Sequence, residues 1–224
     1  MFKEWTKFEK WFLFLGLLAN CFATYIFKGT WIEFTYTLLY FIGALLLAKG
    51  KVVNYIINFV ATFFYAYVSY RNGYYGEIMI AFGMTLPLCI YGFVNWLKNL
   101  YNKDTVKIKE MSKKELTILI LSQCILVFGY YFVLKAFNTN NVLVSSLSLV
   151  ASFLASYCTA RRSENGFIFF IINDLILMTL WFIPAIQGDL SVIPVFISPC
   201  LLFINDCYGV YNWKKLKQKQ GESL

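Results

Sequence analysis

The stretch IYGFVNWLKN, residues 90–99, has an echo 117 residues later in CYGVYNWKKL, residues 207–216. Tyr91-Gly92 aligns with Tyr208-Gly209, and Asn95-Trp96 aligns with Asn212-Trp213. Each copy closes a long apolar run and opens onto lysines. A weaker echo lies one segment earlier, where YIINF (55–59) matches FIIND (170–174) at an offset of 115. Agreement in order and near-agreement in spacing point to an internal duplication, the first thing to settle in a chain of this kind.

The surroundings of the repeat identify the solvent. Hydrophobic residues make up 59% of the 224, charged residues only 14%, and the mean hydropathy is +0.61. A soluble domain of this length has too little interior for so much apolar surface, so the chain belongs in a bilayer. Eight apolar segments follow, near 11–27, 33–48, 52–70, 77–97, 116–137, 142–160, 167–186 and 190–213. A spanning helix needs about 20 residues, which leaves the second segment short. Lys3, Lys7 and Lys10 precede the first segment in the manner of a signal peptide, but no clear small-x-small site follows; it is expected to be retained, spanning or lying at the interface.

Charge fixes the expected orientation. With the amino terminus in the cytoplasm and all eight segments crossing, 17 of the 20 lysines and arginines fall on the inner side. That asymmetry is the positive-inside pattern of a multi-pass protein with both termini cytoplasmic. The formal charge of +8 is then a feature of the inner leaflet; the basic residues form short caps and no stripe, so nucleic acid is not the expected partner. Segments 2–4 and 6–8 each begin outside and end inside. They are parallel repeats related by an axis along the membrane normal, with the fifth segment as linker. The expected fold is all-α: an apolar amino-terminal helix (1–28), a three-helix repeat (33–97), a basic cytoplasmic loop (98–115), a linker helix (116–137), a second three-helix repeat (142–213) and a tail (214–224).

Polar residues inside these runs mark the expected site. Asn173-Asp174 and Asn205-Asp206 sit in the seventh and eighth segments, and both aspartates are equidistant from Leu190 at the turn between them. Antiparallel helices then place both carboxyls at one depth. Intramembrane aspartates cost about 2.5–3.5 kcal/mol on insertion scales and face a cavity or a partner. Asn58 falls near that layer from the first repeat, with Asn54 one turn away on the same face. Phe169 offers a ring for stacking, and Gln123 a polar group on the linker helix. Against each stands plain packing or an interhelical hydrogen bond. Trp96 and Trp213 are expected as interfacial anchors, and Pro87 and Pro199 as bends.

Other chemistries fit poorly. The six cysteines lie in apolar runs without paired spacing, histidine is absent, and no phosphate-binding glycine loop or zinc signature occurs, so neither metal nor cofactor is expected. Two aspartates on neighbouring helices suggest an intramembrane protease, but the glycine run of that class is missing. A pore or scaffold is the remaining non-carrier alternative.

Three helices, a linker and three helices is the arrangement of the sugar-transporting SWEETs and of the PnuC vitamin transporters. The block AKGKVVNYIINFVATFFYAYVSYRNGYYGEIMIAFGMTLPLCIYGFVNWLKN (48–99) resembles the second. So do Arg161, Glu164, Asn173, Leu180-Trp181, Asn205, Tyr208-Gly209 and Trp213 in the carboxy-terminal block, and the resemblance runs from about residue 1 to 216. It implies facilitated diffusion of a small metabolite across a bacterial inner membrane, with nicotinamide riboside as the family default and trapping by an intracellular kinase. One feature departs. Nicotinamide riboside carriers of the family hold Trp-x-x-Trp at the start of the seventh segment, where this chain has Gly166 and Phe169. The expectation therefore leans to another nucleoside or deoxynucleoside, with nicotinamide riboside and then thiamine or another B vitamin as alternatives. The sequence leaves a homo-oligomer open.

Overall fold

The computed structural model describes residues 5–221; Lys3, counted among the inner basic residues, lies outside them. Eight long helices run through the described residues: α1 (Lys7–Ile26), α2 (Trp31–Ala48), α3 (Asn54–Arg71), α4 (Tyr75–Leu97), α5 (Lys113–Ala136), α6 (Val142–Ala160), α7 (Asn165–Ile186) and α8 (Ile193–Gly221). Five of them, α2 and α4–α7, are long and apolar enough to cross a membrane by length and composition alone. The short second segment gains its length at its start, where Thr30 and Glu33 form a reciprocal cap and α2 reaches 18 residues. The same device starts α1 at Thr6 and Glu9.

The helices close a ring. In order around it, α2 packs on α3, α3 on α4, α4 on α6, α6 on α7, α7 on α8 and α8 back on α2. The linker α5 lies outside against α6, and α1 lies outside against α2 and α8. Their outer faces read as lipid-facing stripes: Ile118, Leu121, Ile125, Phe128 and Phe132 on α5, and Trp11, Leu15, Leu18 and Phe22 on α1, are all exposed.

Two parallel three-helix units, α2–α4 and α6–α8, make up that ring, and identical devices hold their ends. Both α2 and α6 stop on a residue of positive φ, Gly50 at 67° and Arg162 at 69°. The hydrogen bonds around the two stops match: Lys51 N–H reaches back to the Leu46 carbonyl at 2.9 Å, and Ser163 N–H to that of Cys158 at 2.8 Å. Beyond each stop a ring packs under a glycine. A Cβ on Gly92 would lie 2.4 Å from the Tyr55 ring, and one on Gly209 would lie 2.3 Å from the Phe167 ring. The packing thus pairs Tyr55 with Phe167, 112 residues apart, and corrects the offset of 115 read from the sequence. The offset grows to 117 at Gly92 and Gly209, so five residues are added further along the second unit, and α7 has 22 residues against 18 in α3.

The tryptophans of the opening motif are not interfacial anchors. Both are fully buried, and their rings lie 5.6 Å apart at the centre of the ring of helices. Trp96 Nε1–H donates to the Thr159 carbonyl at 2.9 Å, and Asn95 donates to that of Ala160 at 2.7 Å. Trp213 Nε1–H donates to the Leu47 carbonyl at 3.1 Å, and Asn212 to that of Ala48 at 2.8 Å. The last helix of each unit therefore caps the first helix of the other. Helix ends leave carbonyls without intrahelical donors, and these Asn-Trp pairs supply them where water is excluded.

The basic loop is ordered by the same region. Val106 is fully buried, its N–H donates to the Gly50 carbonyl at 3.0 Å, and the Gln220 side chain bonds Ile108 N–H and the Val106 carbonyl. Lys217 pairs with Glu110 and Glu164. That contact holds the Glu110 carboxyl below its ordinary range and the Lys217 ammonium above its own.

Leaving a buried carbonyl unpaired costs about 1–3 kcal/mol. Trp96→Phe and Trp213→Phe are each expected to lower the thermal midpoint of the purified protein, by comparable amounts because the two sites are equivalent. Trp11→Phe, on the exposed face of α1, is expected to leave it unchanged.

Candidate functional site

Three chambers lie inside the ring of helices. One is lined by Asn58, Asn173, Asp174 and Asp206 among others. A second takes Asn54, Asn58, Thr85 and Ser156. A third takes Tyr65, Glu77, Ser152 and Asn173. Tyr40 of α2 and Phe170 of α7 line all three, so they are neighbouring parts of one central cavity divided by these two side chains. The enclosed space in each is only about 40–50 Å³, well under the roughly 300–1,000 Å³ of small-molecule sites, so a solute enters only as the lining side chains move.

Seven sequence-derived candidates sort by position. Asp174 and Asp206 line one chamber with their carboxyl groups beside each other, as their shared distance from Leu190 requires. Asn58 joins the same chamber from α3; a Cβ on Gly43 would meet its Oδ1 at 2.1 Å, so this glycine makes the space that Asn58 occupies. Asn173 lines two chambers and is held in place, because Ser148 and Ser152 of α6 donate to its Oδ1 at 3.2 and 3.0 Å.

Three candidates stand away from the cavity lining. Asn205 is fully buried and points along α8 to donate to Asp206 Oδ1 at 3.0 Å; successive residues on a helix diverge by about 100°, and here Asp206 takes the cavity side. Gln123 is buried on α5, which lies outside the ring. Phe169 is half-buried and is not among the lining residues, while its neighbour Phe170 lines every chamber. The sequence reading named Phe169 alone; the ring at the cavity is its neighbour, and helical phase, which the sequence does not fix, decides between them.

Sequence reasoning missed Tyr40, Thr62, Thr85, Ser152, Ser156 and Glu77 as lining residues. Thr85 has a local cause. It ends a π turn, Ala81–Thr85, one turn of α4 wound wide before Pro87, and such turns shift the face that a helix presents. Among the described residues, no lysine or arginine lines any of the three chambers. The cavity combines aromatic rings, amides and hydroxyls with carboxyl groups, which suits a flat, cationic, hydroxylated solute.

The broken tryptophan pair also has a structural cause. A Cβ on Gly166 would lie 2.4 Å from Thr159 Cγ2 and 2.9 Å from the Ala155 carbonyl oxygen, so α7 crosses α6 there at backbone contact and has no room for an indole.

Residues 30–215 match the family model described as nicotinamide mononucleotide transporter. Two curated relatives, both named nicotinamide riboside transporter PnuC, align over nearly the whole chain. The one from Neisseria mucosa is 25% identical over 98% of this chain and 85% of its own length. The one from Haemophilus influenzae is 23% identical over 96% of this chain and 93% of its own. Among solved structures, the crystal structure of the vitamin B3 transporter PnuC superposes with a TM-score of 0.87 at 21% identity, covering 96% of this chain and 94% of that one.

Replacing Phe170 by Ala is expected to raise the substrate KM about tenfold or more, whereas Phe169→Ala leaves it within about twofold, since ring stacking is worth roughly 1–3 kcal/mol. Asn173→Leu and Asp206→Leu are expected to weaken binding by about five- to 150-fold, because each leaves polar partners unpaired in the cavity. Binding to the purified, folded variants measures both.

Proposed function

The chain belongs to the family of the nicotinamide mononucleotide transporter model, a family of multi-pass membrane transporters, and from that premise we propose that it carries nicotinamide riboside down its gradient across a bacterial inner membrane. The observation that carries this reading is the sign of the cavity. Asp174, Asp206 and Glu77 line it, and among the described residues no basic side chain does. Nicotinamide riboside is a pyridinium cation bearing a neutral sugar. Carboxyl groups and aromatic faces attract the ring; Asn58, Asn173 and the hydroxyls of Ser152 and Thr62 take up hydroxyls and the carboxamide.

The same observation separates the riboside from the mononucleotide. A phosphate dianion needs arginine, lysine or a helix amino terminus to replace its water. Placed in this cavity it would meet carboxyl groups instead. The earlier lean towards another nucleoside finds no support in the comparisons, since both curated relatives carry the nicotinamide riboside name. The loss of the tryptophan pair is accounted for by the close crossing at Gly166, with Tyr40 and Phe170 as the rings that remain at the cavity.

Transport is passive in this reading. The chain has no nucleotide-binding loop, and a solute phosphorylated inside by a separate kinase cannot leave through a cavity that rejects phosphate. The basic ends of α2, α4, α6 and α8 then face the cytoplasm, in keeping with the positive-inside rule.

Purified protein in liposomes is expected to take up labelled nicotinamide riboside saturably, with no ATP or ion gradient, until the two sides are equal. The mononucleotide is expected to compete at least about a hundredfold less well than the riboside, the cost of leaving a charged group unpaired. Accumulation above equilibrium would contradict the passive reading, and equal competition by the mononucleotide would contradict the site.

A further inference from the structure

Glu77 sits in the first turn of α4, at the end of the cavity away from the basic turns. It is 2% exposed, and its backbone is pinned: the neighbouring Gly76 N–H donates to Thr139 Oγ1 at 3.1 Å, and Gly76 packs against Leu134 closely enough that a Cβ would lie 2.8 Å from it. Tyr65 Oη–H donates to Glu77 Oε2 at 2.8 Å. The other carboxyl oxygen, Oε1, is buried and makes no hydrogen bond among the described residues; the nearby Ser148 hydroxyl donates to Asn173 instead. A carboxyl kept in a membrane only to hold Tyr65 needs one oxygen, and a neutral amide would do that work at less cost.

The surroundings of that open oxygen are aromatic. The rings of Tyr36 and Tyr65 stack at 5.0 Å with 30° between their planes, and Tyr36 lies 5.5 Å from Tyr40. All three line the chamber with Glu77, and among the described residues no lysine or arginine does. Asp174 and Asp206 line a different chamber, which meets this one at Tyr40 and Phe170. A buried acid with a free oxygen, walled by tyrosine rings, is the arrangement that binds a flat organic cation.

We propose that Glu77, with Tyr36, Tyr40 and Tyr65, forms a second binding station, selective for the positive charge of a pyridinium ring, which the solute occupies on its way to or from Asp174 and Asp206. The proposal rests on the reading of the substrate as nicotinamide riboside and adds a separate residue that reads its charge. The cation and the carboxylate stabilise each other where water is scarce. The tyrosine faces hold the ring, and passage between stations needs only that Tyr40 and Phe170 turn.

The test compares the nicotinamide riboside cation with its neutral 1,4-dihydro form, which has nearly the same shape, in liposomes holding the purified protein. In Glu77→Gln the KM for the cation is expected to rise about ten- to 150-fold, because the ring charge loses the carboxylate that faces it where water is scarce, while the KM for the neutral form stays within about twofold. Equal changes for the two forms would make Glu77 a structural strut and overturn the proposal. Glu77→Asp serves if the glutamine variant does not fold: the acid is drawn back by one methylene, and its KM for the cation is expected to rise several-fold with the neutral form unaffected, again overturned by equal changes. If the parent protein carries neither form, the substrate reading fails and this proposal with it. If the parent carries the cation and Glu77→Gln does not discriminate, only the second station fails.

Discussion

A helix that ends inside a membrane protein has carbonyls that neither water nor its own chain can satisfy, and the crossed Asn-Trp caps meet that constraint twice. Asn95-Trp96 closes α6, and Asn212-Trp213 closes α2. Because each pair belongs to the other unit, neither unit has complete helix ends by itself. The two indoles meet where the units join, with Tyr55 and Phe167 packed against them. This is the sealed end of the ring of helices. From it the six helices rise around a cavity whose walls come from both units.

The seal also decides where the polar groups can lie. Trp96 and Trp213 fill the ring near the basic turns, so the amides and carboxyls that would clash with them stand further along the helices. Glycines make room for the close contacts: Gly92 and Gly209 admit the rings of Tyr55 and Phe167, and Gly43 admits Asn58. The close crossing at Gly166 leaves α7 lying directly on α6, where two serines can reach Asn173. A buried ion pair fastens the outer helix α1 to this frame. Lys49 Nζ lies 2.6 Å from Glu9 Oε1, and Tyr208 Oη–H donates to the same oxygen at 2.7 Å. Groups so paired belong to the scaffold. Glu77 Oε1 and Asp174 Oδ2, which make no hydrogen bond among the described residues, belong instead to side chains that line the cavity.

Much of the fold was legible because hydrophobic runs, caps and lysine clusters are local signals. The duplication, the linker and the parallel units follow from them, and the two aspartates meet because turn geometry equalises their depth. What was misread depends on rotation about a helix axis, which one sequence does not fix. Trp96 and Trp213 look like interfacial anchors by position, yet they point into the protein and cap its helices. Phe169 and Phe170 differ by one step and fall on different sides. Asn205 shares a triplet with Asp206 but lies along the helix. Glu77 stands near a segment end, where an acid ordinarily meets water, and only the packing of Tyr65 and Gly76 shows that it is enclosed. The local match of YIINF to FIIND misled by three residues because the second unit has a longer middle helix.

The central claim is that the solute passes between the two units, through the cavity that Tyr40 and Phe170 divide. An experimental structure of the protein with nicotinamide riboside bound tests it most directly. The account predicts the pyridinium ring within the ring of helices, against Tyr40 or Phe170, with its charge near Asp174 and Asp206 or near Glu77. Density for the ligand in the basic cleft lined by Lys49, Lys51, Lys215 and Lys219, or on the outer face of α5, with the central cavity empty, would contradict it.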